Sequence, residues 1–206
     1  MNEELDIIKN FNLLNSFNAA INNVDANNNK NLRVGLGYDI HKFSDLSDLS
    51  SDFSILNSKS SLNSVNSRCL WLLGLKWSNY PPLEAHSDGD CAIHALVDAI
   101  LSASNLGDIG SFLGVDKSNC ENISGKTVLQ RINKLLKKNN IELVNAGVFV
   151  LCQKPNISKR RKTAEKLLSE IINAPISVSA STTDGVGEIG QFKAIASLAL
   201  ALVKFL

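Results

Sequence analysis

The sequence predicts an α+β domain in which a single sheet is covered by helices on one face. Its 206 residues are enough for one domain that buries a sizeable core without disulfide bonds. Late in the chain, segments with strand periodicity alternate with segments of helical periodicity, which favours helices packed against one sheet. No segment of about 20 to 50 residues repeats, so a repeat architecture is not expected.

The first part of the folded sequence predicts strands followed by a long helix. Residues Leu32 to Ile40 have the periodicity of a strand, and Cys69 to Trp77 have the pattern of a strand or a hairpin. Apolar residues then recur at helical spacing from about Asp88 to Ser104. Ser87 or Asp88 is expected to cap this helix, because such side chains accept hydrogen bonds from the free N–H groups of a first turn.

The rest of the chain predicts the alternation itself. In chain order, periodicity predicts a helix at Ser124 to Asn139, a strand at Glu142 to Gln153, a helix at Ser158 to Asn173, a strand at Ile176 to Thr183 and a closing helix from about Gln191. The helices are expected to lie on the covered face of the sheet.

Two segments have compositions that do not favour a packed core. The first 31 residues contain 11 Asn, which predicts a disordered leader, and Glu3, Glu4 and Asp6 argue against a simple transit or secretory peptide. Residues 44–67 contain ten Ser and three Asn, which predicts a surface insertion. The folded domain is therefore expected to span residues 32–206, with an insertion at about 44–67.

The overall composition disfavours several classes of protein. With 21 basic and 20 acidic residues the net charge is +1, which argues against an electrostatic nucleic-acid or anionic-membrane partner. The longest apolar stretches, such as Ile195 to Leu206, are too short for a bilayer span. The four cysteines form no CxxC pair, so we interpret them as reduced thiols. They are Cys69, Cys91, Cys120 and Cys152.

The strand predicted at Leu32 to Ile40 leads into two candidate metal ligands. Asp39 and His41 are two residues apart, and alternate side chains of a strand project to the same side, so both can bind one cation. The alternative is a solvated Asp beside a surface His. Gly35 and Gly37 resemble a dinucleotide-binding motif only superficially, because the third Gly and the following helix are missing.

A second polar cluster lies at the start of the long helix. Where they are helical, residues spaced by four lie on one helix face. These residues are His86, Asp90, His94 and Asp98. Such a stripe is either a solvated face or a functional one, and the chain's three His all fall within these two clusters, which favours function. Two His and one carboxylate with an open fourth position are typical of catalytic zinc.

Three further segments carry polar or charged residues. In Gly107 to Gly110 the Asp108 side chain can accept hydrogen bonds from hydroxyl groups, and a helix C-cap with a turn is the alternative. Ala180 to Gly185 suits a phosphate and a hard cation, or is simply a favourable strand sequence. The basic residues from Lys154 to Lys162 are interpreted as the solvated start of a surface helix.

Four of these segments together carry a resemblance to a known family. They are Arg33-Val34-Gly35-Leu36-Gly37-Tyr38-Asp39-Ile40-His41, Ala85-His86-Ser87-Asp88-Gly89-Asp90 with His94-Ala95-Leu96-Val97-Asp98-Ala99, Leu106-Gly107-Asp108-Ile109-Gly110, and Ser181-Thr182-Thr183. In order and rough spacing they resemble the 2-C-methyl-D-erythritol 2,4-cyclodiphosphate synthase family. The resemblance covers about residues 32–206, and the combination is far more specific than any one motif.

The resemblance implies a two-layer α+β sandwich with a four-stranded mixed sheet, assembled as a homotrimer with active sites between subunits. The implied reaction converts 4-diphosphocytidyl-2-C-methyl-D-erythritol 2-phosphate to the cyclic diphosphate and CMP, in the non-mevalonate route to isoprenoids. The implied cofactors are one Zn²⁺ per subunit and Mg²⁺ or Mn²⁺ with the substrate diphosphate. Because this route belongs to bacteria and plastids, the expected location is the bacterial cytoplasm or an apicoplast-like plastid stroma, not the secretory route.

The resemblance also implies roles for individual residues. The implied zinc ligands are Asp39, His41 and His94, and Asp184 stands where the family has a Glu that binds Mg²⁺. Catalytic roles are implied for His86 and Thr182, of which Thr182 polarises the transferred phosphoryl group. Contacts with the substrate phosphate are implied for His86 and Ser87, and contacts with the erythritol for Asp108 and Gly110. Substrate contacts are also implied for Asp39 and His41. Contacts with the cytidine diphosphate are implied for Cys152 to Ser158 and for Ser181, Thr182, Thr183 and Asp184.

Several positions depart from the family pattern. Leu113-Gly114-Val115 stands where the family has Phe-Pro-Asp, and Asn156 stands where it has Lys. Glu188 replaces an aromatic residue, while Gln191 and Lys193 stand where the family has Arg and Glu near the trimer axis. One alternative is therefore a catalytically impaired trimeric homologue that binds metal and nucleotide. A separate alternative is a metal-dependent phosphoesterase.

Overall fold

The computed structural model describes residues 31–44, 69–85, 87–114 and 123–206. Residues 1–30, 45–68, 86 and 115–122 lie outside the described residues; they include the predicted leader up to residue 30, the predicted insertion at about 44–67 apart from its first residue, and His86. The predictions about those segments therefore stay predictions.

The described residues form six strands and five α-helices. The strands are β1 (Leu32–Lys42), β2 (Leu70–Leu72), β3 (Leu75–Trp77), β4 (Ile141–Leu151), β5 (Ile176–Ser181) and β6 (Ala194–Phe205). The helices are α1 (Cys91–Ser104), α2 (Ile109–Leu113), α3 (Gly125–Lys138), α4 (Arg161–Ile172) and α5 (Gly187–Gly190), and a 3₁₀ helix at Ile157–Lys159 precedes α4. None of these helices is both long and apolar enough to cross a membrane.

Four strands form one mixed sheet in the order β1-β6-β4-β5. Strand β6 is antiparallel to both β1 and β4, and β4 is parallel to β5. Strands β1, β4 and β5 therefore run in the same direction, and their carboxyl ends lie at one end of the sheet. Strands β2 and β3 form a separate hairpin. The predicted α+β fold with a four-stranded mixed sheet is confirmed.

Helix α1 lies directly against the backbone of β1. A Cβ atom on Gly35 would overlap the carbonyl oxygen of Ala99, and one on Gly37 would overlap the carbonyl oxygen of Ala95. Because both glycines lie on the face of β1 that looks towards α1, strand and helix can approach more closely than any side chain would allow. The two glycines of the superficial dinucleotide motif thus set the distance between a strand and a helix.

The closing helix predicted from about Gln191 is wrong, because this segment forms strand β6. Its alternating Ala and Leu residues favour helices by intrinsic propensity, but the alternation itself has the two-residue period of a strand. Ala199 and Ala201 are buried on the side of α1, whereas Leu198 and Leu200 are exposed on the opposite side. Packing against α1 therefore overrides the helical propensity of these residues.

Within the described residues, the face of the sheet opposite α1 is apolar and uncovered. Three strands contribute large exposed side chains to it: Leu36, Tyr38, Ile40, Phe149, Leu198 and Leu200. A contiguous apolar surface of this kind on a single chain is typical of a protein contact surface.

Candidate metal centre

Three side chains from two elements meet at the carboxyl end of β1. Asp39 and His41 lie on the strand, and His94 lies in the first turn of α1. Asp39 Oδ2 is 3.1 Å from His41 Nε2 and 3.0 Å from His94 Nδ1, and the two imidazole nitrogens are 3.2 Å apart. The structure therefore brings together the three residues that the sequence singled out as metal ligands.

The local sequence of β1 explains why these three side chains meet. Positions 35, 37, 39 and 41 share one face of the strand, so the two glycines and the two ligands alternate along the same side. Gly37 contacts the backbone at Ala95, and the next residue along α1 towards its amino end is His94. The close approach at Gly37 thus places His94 opposite Asp39, two residues farther along the strand.

The spacing of the three atoms fits one tetrahedral cation. Metal bonds of about 2.1 Å place neighbouring ligands of a tetrahedral ion about 3.4 Å apart. The observed separations of 3.0 to 3.2 Å are close to this value. Two imidazole nitrogens and a carboxylate oxygen also form a donor set that suits a divalent transition metal. The donor chemistry and the geometry both fit a bound metal ion.

Electrostatics keep the carboxylate of this group ionised. Burial alone would raise the pKa of Asp39, but hydrogen bonds and charge interactions with His41 and His94 outweigh it and lower that pKa well below its usual range. Burial alone would lower the pKa of His94, but its contact with Asp39 outweighs that effect and raises it. Asp39 therefore presents a full negative charge to a cation at neutral pH.

Helix α1 begins later than predicted, and its cap is a different residue. Its first residue is Cys91, and Asp90 is the N-cap, whose carboxylate accepts a hydrogen bond of 3.1 Å from Ile93 N–H. The predicted caps, Ser87 and Asp88, lie in the loop that leads directly into Asp90.

The carboxylate of Asp90 turns into the protein interior. It accepts hydrogen bonds from the N–H groups of Leu73 at 2.9 Å and Gly74 at 2.6 Å, which form the turn of the β2–β3 hairpin. Asp90 is fully buried, and this burial raises its pKa to about 6. It therefore joins α1 to the hairpin and does not share a polar face with His94, as the spacing of four had suggested.

Helix α1 also fixes the turn that was predicted to contact the erythritol. Asp98, one helical turn beyond His94, accepts a hydrogen bond of 2.7 Å from Ile109 N–H. Asp108 is exposed and caps α2, with its Oδ1 accepting from Ser111 N–H at 2.7 Å. The turn is thus tied to the same helix that carries His94, and the predicted erythritol contacts of Asp108 and Gly110 stay predictions.

The predicted nucleotide-binding residues lie at the same end of the sheet but at its opposite edge. Cross-strand pairs connect His41 to Ile195 on β6, and Leu151 on β4 to Ser181 on β5. With neighbouring strands about 4.8 Å apart, β1 and β5 are separated by about 14 Å. A single chain therefore does not bring Asp39 and His41 into contact with Ser181.

The chain after β5 forms a compact hydroxyl-rich turn. Thr182 Oγ1 donates a hydrogen bond of 2.9 Å to Asp184 Oδ1, and Thr183 Oγ1 donates one of 2.6 Å to the Val186 carbonyl. Asp184 has a left-handed backbone conformation, with φ of 51°. Thr182 and Asp184 are therefore in direct contact, and the substrate and Mg²⁺ contacts predicted for them stay predictions.

In the segment after β4, one predicted substrate contact, Cys152, is buried, and another, Ser158, is exposed. The Cys152 side chain is buried with its thiol towards the Pro155 carbonyl, and burial raises its pKa to about 12. Ser158 is exposed, and its N–H donates a hydrogen bond of 3.1 Å to Asn156 Oδ1. Asn156, which replaces the family's Lys, thus caps the 3₁₀ helix, and the substrate contacts predicted for this segment stay predictions.

Two of the other departures from the family pattern contact each other. Lys193 Nζ is 3.1 Å from Glu188 Oε2, which makes an exposed ion pair between α5 and the start of β6. Val115 lies outside the described residues.

The loop before α1 contributes one more contact to the centre. Ser87 Oγ is 3.3 Å from His94 Nε2, the imidazole nitrogen that does not face Asp39. The sequence suggested Ser87 only as a helix cap and, through the resemblance, as a phosphate ligand. Ser87 lies seven residues before His94 in the sequence, so no local pattern indicated this contact.

The known proteins that are similar to this chain agree with one another in their names. A 2-C-methyl-D-erythritol 2,4-cyclodiphosphate synthase of Acidothermus cellulolyticus is 38% identical over 171 residues, covering 83% of this chain and 93% of the relative. The structure of IspF from Plasmodium falciparum as a CDP complex is 31% identical with a TM-score of 0.65, covering 84% of this chain and 96% of that one. The bifunctional IspDF from Campylobacter jejuni matches with a TM-score of 0.71 at 26% identity, and this match covers 85% of this chain and 42% of that longer one.

A family-level match agrees with these relatives. Residues 32–204 match the YgbB family, a range that contains the candidate metal centre and all four sheet strands except the last residue of β6. The resemblance drawn from the four sequence segments is thereby confirmed. The chain belongs to the YgbB family, and curated relatives at 34% to 38% identity are named 2-C-methyl-D-erythritol 2,4-cyclodiphosphate synthase.

Proposed function

We propose that this protein converts 4-diphosphocytidyl-2-C-methyl-D-erythritol 2-phosphate to 2-C-methyl-D-erythritol 2,4-cyclodiphosphate and CMP. The observation that carries the proposal is the convergence of Asp39, His41 and His94 in a chain whose relatives are named as this synthase. The phosphoesterase and the impaired homologue are not favoured by these relatives. The place of action that we propose follows the pathway: the cytoplasm in a bacterium, or a plastid in a eukaryote.

The reaction needs charge neutralisation and alignment more than a covalent nucleophile. An oxygen of the 2-phosphate forms a bond to the β-phosphorus, and the bond from that phosphorus to the bridging oxygen breaks, so that its electron pair leaves with CMP. Two anionic groups must approach each other for this displacement. Residues that neutralise and orient the phosphates therefore carry most of the catalysis.

The triad supplies the cation site that this chemistry requires. We propose that Asp39, His41 and His94 hold one Zn²⁺, because two imidazoles and a carboxylate with an open fourth position are typical of catalytic zinc. Zinc bound there supplies a Lewis acid for a phosphoryl oxygen. The ionised Asp39 balances part of the metal charge, and the partial burial of the site limits competition from water.

The turn after β5 is proposed as the diphosphate end of the site. Thr182 is assigned to the transferred phosphoryl group, and Asp184 to a Mg²⁺ or Mn²⁺ that accompanies the substrate. The contact between Thr182 Oγ1 and Asp184 Oδ1 supports a shared role, because both oxygens can then meet one phosphate and its cation. His86 is assigned to the substrate phosphate from the family resemblance alone.

A homotrimer accounts for the distance between the metal residues and the proposed diphosphate-binding residues within one chain. In one chain the metal residues and Thr182 lie at opposite edges of the sheet, about 14 Å apart by strand count. The uncovered apolar face of the sheet provides a surface through which subunits can associate. We therefore propose that the carboxyl end of β1 in one subunit and that of β5 in a neighbour form each site.

The test is a product assay with a matched substrate analogue. Purified protein with the cytidyl substrate, Zn²⁺ and Mg²⁺ should release CMP and the cyclic diphosphate in equal amounts. The analogue without the 2-phosphate lacks the attacking oxygen, so it should release no CMP. Release of CMP from both compounds would indicate hydrolysis and favour the phosphoesterase, and no turnover of either would favour the impaired homologue.

A further inference from the structure

The imidazole of His94 has a polar partner on each of its two nitrogens. Nδ1 faces Asp39 at 3.0 Å, and Nε2 lies 3.3 Å from Ser87 Oγ. The His94 side chain is 13% exposed, compared with 22% for Asp39 and for His41, so water has the least access to this ring. We propose that Ser87 is a positioning residue that fixes the ring orientation of His94 for cation binding and provides a hydrogen-bond partner for its second ring nitrogen in either tautomer. This proposal rests on the proposed cation site.

A hydroxyl group at this position suits both states of the site. Without a cation, Nδ1–H can donate to the Asp39 carboxylate, and Nε2 then accepts a hydrogen bond from the Ser87 hydroxyl. When Nδ1 offers its lone pair to a cation, the proton lies on Nε2, which then donates to Ser87 Oγ. Because a hydroxyl both donates and accepts, the ring can change tautomer without losing a partner. A partner on the second ring nitrogen is a general requirement of metal-binding His residues.

The loop that carries Ser87 is anchored to a different helix. Asp88 Oδ2 accepts a hydrogen bond of 2.6 Å from Gly125 N–H, in the first residue of α3, and Asp88 Oδ1 accepts one of 3.3 Å from Asp90 N–H. Gly89 N–H also points at Ser87 Oγ, at 3.3 Å. A carboxylate at a helix N-terminus is further stabilised by the helix dipole. Asp88 therefore holds Ser87 at a fixed distance from His94.

Two simpler roles for Ser87 make different predictions. If Ser87 only stabilises the fold, its loss should lower the melting temperature and leave cation affinity unchanged. If Ser87 only contacts a substrate phosphate, its loss should raise KM and leave cation affinity in the absence of substrate unchanged. Only the positioning role predicts a change in the affinity for the metal alone.

The experiment measures Zn²⁺ affinity by chelator competition, without substrate, in the full chain. Ser87→Ala should weaken Zn²⁺ binding about 10- to 100-fold, which is the usual effect of losing such a partner. Ser87→Thr keeps the hydroxyl and should bind within a few-fold of the natural chain. The control is Ser102→Ala, which changes an exposed residue of α1, the helix that carries His94. This variant should bind Zn²⁺ as tightly as the natural chain does. Equal affinities for Ser87→Ala and the natural chain, with both folded by circular dichroism, would overturn the proposal.

A second readout reports the hydrogen bond at Nε2 directly. In the metal-free protein the ¹⁵N chemical shift of His94 Nε2 should change in Ser87→Ala, because this nitrogen loses its hydrogen-bond partner. An unchanged Nε2 shift in Ser87→Ala would contradict the proposal even if affinity changed.

The role of Asp88 is tested by a double-mutant cycle. Asp88→Ala should weaken Zn²⁺ binding, and Asp88→Ala combined with Ser87→Ala should bind no more weakly than Ser87→Ala alone, because Asp88 acts through Ser87. Additive losses would contradict this link. If the Zn²⁺ affinity depends on Ser87 as predicted but the protein forms no cyclic product, the proposed function is contradicted while this inference stands.

Discussion

Gly37 on β1 lies so close to Ala95 on α1 that a Cβ atom at position 37 would overlap the Ala95 carbonyl oxygen. The neighbour of Ala95 on this helix is His94, and Asp39 follows Gly37 by two residues. The absence of a side chain at one strand position thus brings a helical imidazole within 3.0 Å of a strand carboxylate.

Gly37→Ala should therefore disturb both the fold and the metal centre. The added methyl group pushes α1 away from β1, which should cost about 1–3 kcal/mol of unfolding free energy and weaken Zn²⁺ binding. Urea unfolding and chelator competition measure the two effects. The control is Gly147→Ala on β4, where the nearest atom to the new Cβ is Ser177 Oγ at 3.3 Å. Equal effects of both substitutions would contradict the role of close approach at Gly37.

Mixed subunits test whether each site is shared between chains. His94→Ala removes the metal end of a subunit, and Asp184→Ala removes its diphosphate end, so each variant alone should be nearly inactive. If two subunits build each site, random trimers of an equal mixture should regain about one quarter of the natural activity. Half of the subunits have an intact metal end and the other half an intact diphosphate end, so both ends are intact in about one quarter of the shared sites. A mixture as inactive as its two components would place both ends within one chain.

Asp90 makes stability depend on pH in a direction opposite to that of most carboxylates. Burial raises its folded-state pKa to about 6 from the ordinary value of 3.8, so the folded protein binds more protons than the unfolded chain between about pH 4 and pH 6. The free energy of unfolding should therefore fall as pH rises through this window, by about 3 kcal/mol in total, and this effect should level off above about pH 7. Asp39, whose pKa is lowered, gives the opposite slope only below about pH 4.

Asp90→Asn isolates this contribution, because the amide cannot ionise. Urea unfolding in EDTA at a fixed protein concentration, between about pH 4.5 and pH 7.5, measures it. The stability of the natural chain relative to Asp90→Asn should decrease as pH rises. Parallel pH profiles for the two proteins would show that Asp90 does not titrate in this window.

The edge of the sheet at β5 is protected by side chains of α4. Glu165 Oε1 accepts a hydrogen bond of 3.1 Å from Val178 N–H, and Ser169 Oγ accepts one of 2.9 Å from Ile176 N–H. Glu165→Ala should cost about 1 kcal/mol and speed hydrogen exchange at the Val178 amide, whereas Glu165→Gln keeps an acceptor and should change little. Glu170→Ala, which removes only an exposed ion pair with Lys166 on the same helix, is the control. Unchanged exchange at Val178 in Glu165→Ala would contradict this assignment.

The sequence predicted the candidate ligands Asp39, His41 and His94, which the structure brings together, because their signals are local and chemical. The two-residue spacing of Asp39 and His41 fixes their common side on a strand, and the scarcity of His singled out His94. Their meeting depends on packing, which only the alternation of Gly35 and Gly37 with the ligands could have suggested.

Other features depend on tertiary contacts that a sequence pattern does not carry. The β6 segment has the composition of a helix, and the need for small residues under α1 decides its structure instead. Asp90 has the same spacing from His94 as a surface stripe, yet its bonds to Leu73 and Gly74 turn it inwards. Such an outcome depends on a hairpin that lies 16 to 17 residues earlier in the chain.

The most direct test of the account is a crystal structure of the zinc-loaded protein with anomalous diffraction at the zinc absorption edge. We expect one zinc ion per subunit, about 2.0–2.2 Å from Asp39 Oδ2, His41 Nε2 and His94 Nδ1, and no such ion in His94→Ala. An anomalous peak elsewhere, or one that persists in His94→Ala, would contradict the central claim that these three residues form the metal centre.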